Sequence, residues 1–507
     1  MPYMDCYVKN PLTSQNTFRE MAPVYGPTPS FEEAKSRLPD PYWKGREDAV
    51  ECYWKAWKSV FARLKRATPE NGFHTNYVDT GYFQDFFMWD TCFCMFYGRY
   101  GSRAFDFIRS LDNFYARQHP DGYICRQLSE KDGTDQFHRF EPGGTGPNIM
   151  PWPEWEHFRA FNDKNRLEAV FPVLLAYYQW YRKYRTWPDG GYWASGWSCG
   201  MDNQPRLGGS DAERMFYHGR HTWIDACLQQ ILAAKQLCLM AYELGRSVET
   251  ETLRDEIKKL TGYVNGMMWD EESGFYYDLD EGKERMDVKI LGAYWALLAG
   301  AVPKERLDPF IAHLERESEF KRLHRIPTLS ADHPDYRSVG AYWRGGVWAN
   351  TNYMAVKGLR ACGYDTLAHE IALNHFNAVT EVYKNTGELW ENYAPDFIGK
   401  GSHSKADYVG WTGLTPICGL IEDVFGIRME PKAKRVVWDV RITDEFGVAN
   451  LPYDSCHQLS VKCGARESAH AKPAVRVECE IPVVLDLRWE GGVEITEIPP
   501  EEKKNKN

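Results

Sequence analysis

Three stretches of the chain end alike. HPDGYI (119–124), ESGFYY (272–277) and NTGELW (385–390) each close a run with helical apolar spacing, and each sets a glycine before an aromatic segment. Glycine supplies the left-handed backbone that stops a helix, and the segment after it can turn back toward the centre as a short strand. Recurring helical hairpins of this kind predict a toroid whose inner helices carry a site at one mouth. Their unequal spacing argues against a solenoid. Apolar residues at helical period predict further helices over 46–67, 102–118, 165–184, 220–244, 249–268, 289–298, 350–361, 365–383 and 413–425.

Residues 433–495 change character: KRVVWDVRI, QLSVKCGA, AVRVECEIP and VVLDLRW alternate apolar and polar at period two. The expected class is therefore mainly α, a toroid with a small C-terminal antiparallel β domain. The expected division is an irregular, Pro- and Ser-rich N-terminal arm over 1–40, the helical body over 41–430 and the β domain over 431–500. The tail EEKKNKN reads as a solvated terminus.

Composition narrows the function. A net charge of −10 leaves no basic face for phosphate backbones, so no nucleic-acid partner is expected. No run approaches the ~20 apolar residues of a membrane helix, and no membrane partner is expected. The start MPYMDCYVKNPLTSQ lacks a basic segment followed by an apolar one. Thirteen scattered cysteines, an odd number, read as reduced thiols, several of them small apolar residues of helices (Cys227, Cys238, Cys362, Cys418), and imply a cytoplasmic protein. No metal and no cofactor are expected: His369-Glu370 and His375 set two imidazoles six residues apart, on different helix faces, and Cys92 with Cys94 is a weak signal alone. Nineteen Trp and 30 Tyr are more than a core needs, and such rings line carbohydrate sites, so the expected partner is a small carbohydrate. Oligomeric state is left open.

GWSCG (196–200) fits the G-x-S-x-G of a serine nucleophile, but neither a strand before it nor a helix after it is predicted, and the match is set aside. Asp202, two residues on, lies near Trp193, Trp197 and Arg206. It reads equally as a turn residue or as a carboxyl kept protonated by apolar rings. Glu391 sits at the aromatic end of the third repeat, where Asn392 and Tyr393 could hydrogen-bond it; Glu388 is the competitor, expected to face solvent. Two more clusters mix rings with polar groups: Trp89-Asp90, and Trp343, Arg344 and Trp348 among glycines.

Over residues 71–425 these clusters resemble, in order, the helical-barrel glycosidases of glycoside hydrolase families 63 and 37. WSCGMDNQPR (197–206) is similar to the family's W-E-S-G-M-D-N-S-P-R, WENY (390–393) to the segment bearing the general base, and MWDT (88–91) to a W-D-S that holds the sugar. YWRG through Trp348, Asn352-Tyr353 and GWT (410–412) also match family motifs. The resemblance implies an (α/α)6 barrel and an inverting, exo-acting α-glycosidase, with Asp202 as general acid and Glu391 as general base. Trp89, Asp90, Trp197, Trp343, Arg344, Trp348 and Trp411 are expected to shape the sugar pocket, with Arg344 equally readable as pinning the Gly345-Gly346 loop, and Trp152, from a stretch outside the family pattern, is expected to join them. The chain departs from the pattern at Ser198-Cys199 and Leu207, at GPN (146–148) followed by MPWPEW (150–155), and at DTGYFQ (79–84). These leave glucose, mannose and trehalose all open as the sugar. Epimerisation, hydrolysis of an unsaturated uronide and a sugar-binding relative without activity are the alternative functions.

Overall fold

The structure, a computed structural model, describes residues 8–81, 84–246 and 248–500. Tyr82 and Phe83 of the DTGYFQ stretch and the tail EEKKNKN lie outside the described residues. The chain is mainly helical with a C-terminal β region. Among the described residues, no helix is long and apolar enough to cross a membrane.

Helices come in two sets. In one, Met88–Gly98 packs on Pro151–Phe161, which packs on Ile224–Leu244, then Trp295–Leu298, Ala349–Ala361 and the turn Thr412–Leu414, which returns to Met88–Gly98. The other set backs these: Lys164–Tyr184 and Val248–Tyr263 lie on Ile224–Leu244, and Asp365–Thr386 lies on Ala349–Ala361 and Glu47–Ala62. Local chemistry explains the ends. The Asp163 side chain caps Lys164–Tyr184 by accepting the Arg166 N–H, and Gly387 (φ 72°) stops Asp365–Thr386 in the left-handed region.

Gly122 and Gly274 are left-handed as well, at φ 101° and 70°. After Gly274 the aromatic segment is a strand, Phe275–Tyr276, paired with Trp269–Asp270. Beyond Gly387 only isolated bridges form, such as Trp390 to Ala406.

The helix expected over 102–118 is instead a 3-10 turn, Phe107–Leu111, and one short helix, Asp112–Ala116. Its polar residues hold a neighbouring segment: the Ser110 hydroxyl accepts the Val78 N–H, and the Asn113 side chain binds the backbone of His74 and Thr75. The helices Met88–Gly98 and Pro151–Phe161 lie outside the expected ranges. Met88–Gly98 buries every residue, so it shows no amphipathic period. Pro151–Phe161 opens on prolines, which only the first turn of a helix tolerates.

The β region comprises eight strands: β1 (Asp40–Trp43), β2 (Ile427–Glu430), β3 (Arg435–Asp439), β4 (Phe446–Pro452), β5 (Gln458–Cys463), β6 (Val475–Cys479), β7 (Val483–Trp489) and β8 (Gly492–Ile498). One sheet, β1-β4-β5-β6, is antiparallel throughout. The other, β8-β7-β3-β2, corrects the expected antiparallel character, because β3 and β7 run parallel with Asp486 opposite Val437. All of β4 to β6 lies between those two strands in sequence, and such a long crossover permits parallel pairing. The arm expected to be irregular carries short 3-10 turns and, at its end, β1, which pairs with Phe446–Ala449.

Candidate active site

A pocket of about 260 Å³ collects most of the residues singled out above. Trp89 and Asp90 enter from the first turn of Met88–Gly98. Asp202 comes from the turn after a one-turn helix, Gly196–Cys199, closed by Ser195 and Ser198 as a reciprocal cap. The Ser198 hydroxyl is consumed there, accepting the Ser195 N–H at 2.6 Å, so this serine is a capping group rather than a nucleophile. Gly200 (φ 79°) ends the turn against the Trp89 ring, where a Cβ would lie 2.7 Å from the indole. Glycine at this position therefore lets the Asp202 turn seat on Trp89.

Glu391 reaches the same pocket from the extended segment after Gly387 and is fully buried. Its Oε1 accepts the Tyr342 hydroxyl at 3.2 Å and its Oε2 accepts the Lys405 N–H at 3.2 Å. The expected partners Asn392 and Tyr393 do not serve it. The Asn392 N–H is donated to Ser404, and the Tyr393 hydroxyl accepts the Trp390 N–H, because successive residues of extended backbone face opposite sides. Glu388 pairs with Lys55 on the outside. Trp411 closes the floor by donating its indole N–H to the Glu391 carbonyl at 2.9 Å.

The pocket's other two carboxyls are both perturbed. Burial pushes Asp90 up to about 7, against the opposing effects of the Tyr408 hydroxyl, donated at 2.6 Å, and of Arg126. Asp202, enclosed by protein but open to the pocket, is pushed up to about 6 by burial, with Arg126 opposing. A carboxyl raised in the folded state adds stability below its unfolded value of 3.8 and loses it as pH rises through about 6. Asp202→Asn is therefore expected to stabilise the protein by about 1–2 kcal/mol at pH 8 and by close to nothing at about pH 3. Urea denaturation at the two pH values checks this, and equal gains at both would refute it.

Arg126 was not anticipated. It lines the pocket with its guanidinium 5.0 Å from the Trp197 ring, and its Nε and Nη1 are buried without a hydrogen-bond partner. The indole nitrogens of Trp89 and Trp343 and the Gln127 Oε1, all on lining residues, are likewise buried without a partner. Buried polar groups are normally paired, so such a convergence suits a ligand rich in hydroxyls. The repeat held a signal for Arg126: the fourth residue after each turn glycine is Arg126, Asp278 and Glu391, all three charged and all three buried.

Trp197 and Trp343 also line the pocket, joined by Phe87, Met215 and Tyr342. Three expected ring or charge contacts lie elsewhere. Trp348 is stacked against Trp343 with centroids 3.7 Å apart, but is not itself part of the lining. Trp152 is core, packed on Phe96 and Trp295, because a helix-end cluster has the same composition as a sugar platform. Arg344 points aside toward Asp211 at 3.8 Å. Arg206 does not neighbour the Asp202 carboxyl in function either; it is locked between Asp225 and Asp278 over the Trp223 ring.

An uncharacterized protein of Borreliella burgdorferi is 24% identical over 386 residues, covering 73% of this chain and 78% of its own length. A probable mannosyl-oligosaccharide glucosidase of Schizosaccharomyces pombe is 27% identical over 339 residues, 58% of this chain but 39% of that protein. The crystal structure of the GH63 mannosylglycerate hydrolase of Thermus thermophilus with glucose has the same fold, with a TM-score of 0.58 at 21% identity over 72% of this chain and 98% of that one. The mannosylglycerate hydrolase MGH1-like glycoside hydrolase domain matches residues 86–412, the span from which every lining residue of the pocket comes, and the chain belongs to that family of glycoside hydrolases.

Proposed function

We propose that this glycoside hydrolase is an inverting, exo-acting α-glycosidase on a small α-linked glycoside, built on an (α/α)6 barrel. The closed cycle of helix contacts supports the barrel. The observation that carries the mechanism is the pairing of Asp202 and Glu391 in one pocket with different surroundings. Asp202 is raised to about 6 and can hold a proton near neutral pH; Glu391 accepts hydrogen bonds on both oxygens. Asp202 protonates the departing oxygen while Glu391 takes a proton from the water that attacks the opposite face of the sugar. Asp90, Arg126, Trp89 and Trp343 grip the sugar's hydroxyls. A pocket of about 260 Å³ suits one terminal sugar at a time. The scattered, odd set of thirteen cysteines supports a reducing, cytoplasmic setting.

The test is a screen of α-glucosides, α-mannosides and their 2-O-glycerate conjugates for released sugar, followed by proton NMR of the fresh reaction. The β-anomer is expected first, with later mutarotation. An initial α-anomer would make Glu391 a nucleophile and sink the inverting mechanism, which requires carboxyls roughly 6.5–9.5 Å apart.

A further inference from the structure

Asn203 follows Asp202 and is buried without lining the pocket. Its Nδ2 donates to the Ala341 carbonyl at 3.3 Å, and its Oδ1 accepts the Trp343 N–H at 2.9 Å. These two backbone groups bracket Tyr342, whose hydroxyl is donated to Glu391. The bracketed backbone is unusual: after Gly340, Ala341 and Tyr342 both hold positive φ, 36° and 65°. Residues with a Cβ rarely occupy that region, and they stay there only when their surroundings hold them. An amide suits the task, because it offers a donor and an acceptor on one short side chain, whereas an ionised Asp offers acceptors alone. A second tie runs alongside: Gln204 Nε2 donates to the Thr328 carbonyl at 2.9 Å, and the Thr328 hydroxyl is donated to the Trp343 and Gly346 carbonyls.

We infer that Asn203 is a positioning residue for the base, acting through Tyr342. It holds residues 341–343 in the conformation that keeps the Tyr342 phenol on Glu391. As the sequence neighbour of Asp202, it also ties the acid-bearing loop to the base-supporting one, alongside the Gln204–Thr328 link. The inference rests on the acid and base roles proposed above.

The test is a double-mutant cycle on the full chain with Asn203→Ala, Tyr342→Phe and the pair. It is assayed on α-D-glucosyl and α-D-mannosyl fluoride, whose leaving group needs no proton, and on the corresponding 2-O-glycerate conjugates. Asn203→Ala is expected to lower kcat by ~10- to 100-fold on fluorides and conjugates alike, with KM little changed, since misplacing a reacting group by about 1 Å costs that much. The double variant is expected to fall within about twofold of the worse single one, as groups acting in one chain do. Losses that multiply would overturn the inference, as would a loss confined to the conjugates, which would put Asn203 on the acid's side. Asn203→Asp, which keeps the acceptor and loses the donor, gives an intermediate loss and replaces Asn203→Ala in the cycle if that variant does not fold. Full activity of Glu391→Gln in the same assays would instead remove the base assignment, an outcome distinct from failure of the Asn203–Tyr342 coupling.

Discussion

Glu391→Gln is expected to cut kcat by ~10²- to 10⁴-fold on every substrate, because under the proposed roles the attacking water loses its base whatever group departs. Asp202→Asn is expected to cost as much on ordinary glycosides and little on glycosyl fluorides, which leave without a proton. The same logic fixes the pH dependence. As the proposed acid, Asp202 has to be protonated, and it is raised to about 6, so activity on ordinary glycosides is expected to fall as pH rises past about 6. That limb is expected to vanish with a fluoride substrate. Two variants that fail equally on both substrate types would refute the division of roles.

Arg126→Leu is expected to lower kcat/KM by ~10- to 100-fold, the worth of a charged hydrogen bond to a buried partner. It carries a second signature that loss of binding alone would not produce. The Arg126 charge pulls the Asp202 and Asp90 carboxyls downward against their burial. Removing it lets both rise, so the alkaline limb of the residual activity moves to higher pH. A limb that stays fixed or moves down would show that Arg126 does not sense the acid.

Most of the helical body was legible, because its helices bury one face and show it as a 3.6-residue period. Met88–Gly98 escaped because it buries all its faces, and with it went the reason Trp89 and Asp90 arrive side by side at the pocket. Motif and repeat position point to the two candidate carboxyls, and the structure brings both to one cavity. Their partners were not found, since Tyr342 and Lys405 reach Glu391 across the fold rather than along the chain. Trp152 shows the opposite error: ring-rich, polar sequence looks the same whether it faces a sugar or Phe96. Arg126 was readable in principle, from its place four residues after a turn glycine, but only once Glu391 was seen to hold the equivalent place.

The strand β1 has a consequence for how the chain is made. Asp40–Trp43 leaves the ribosome ahead of the helical body, and its partner Phe446–Ala449 follows about 400 residues later. At roughly 5–20 residues per second, β1 waits on the order of tens of seconds with its ladder unpaired. The helical body is synthesised in that interval, so the sheet closes only after that body has emerged. A C-terminal truncation before residue 446 would leave the wait unending, with an N-terminal strand edge permanently available to other chains.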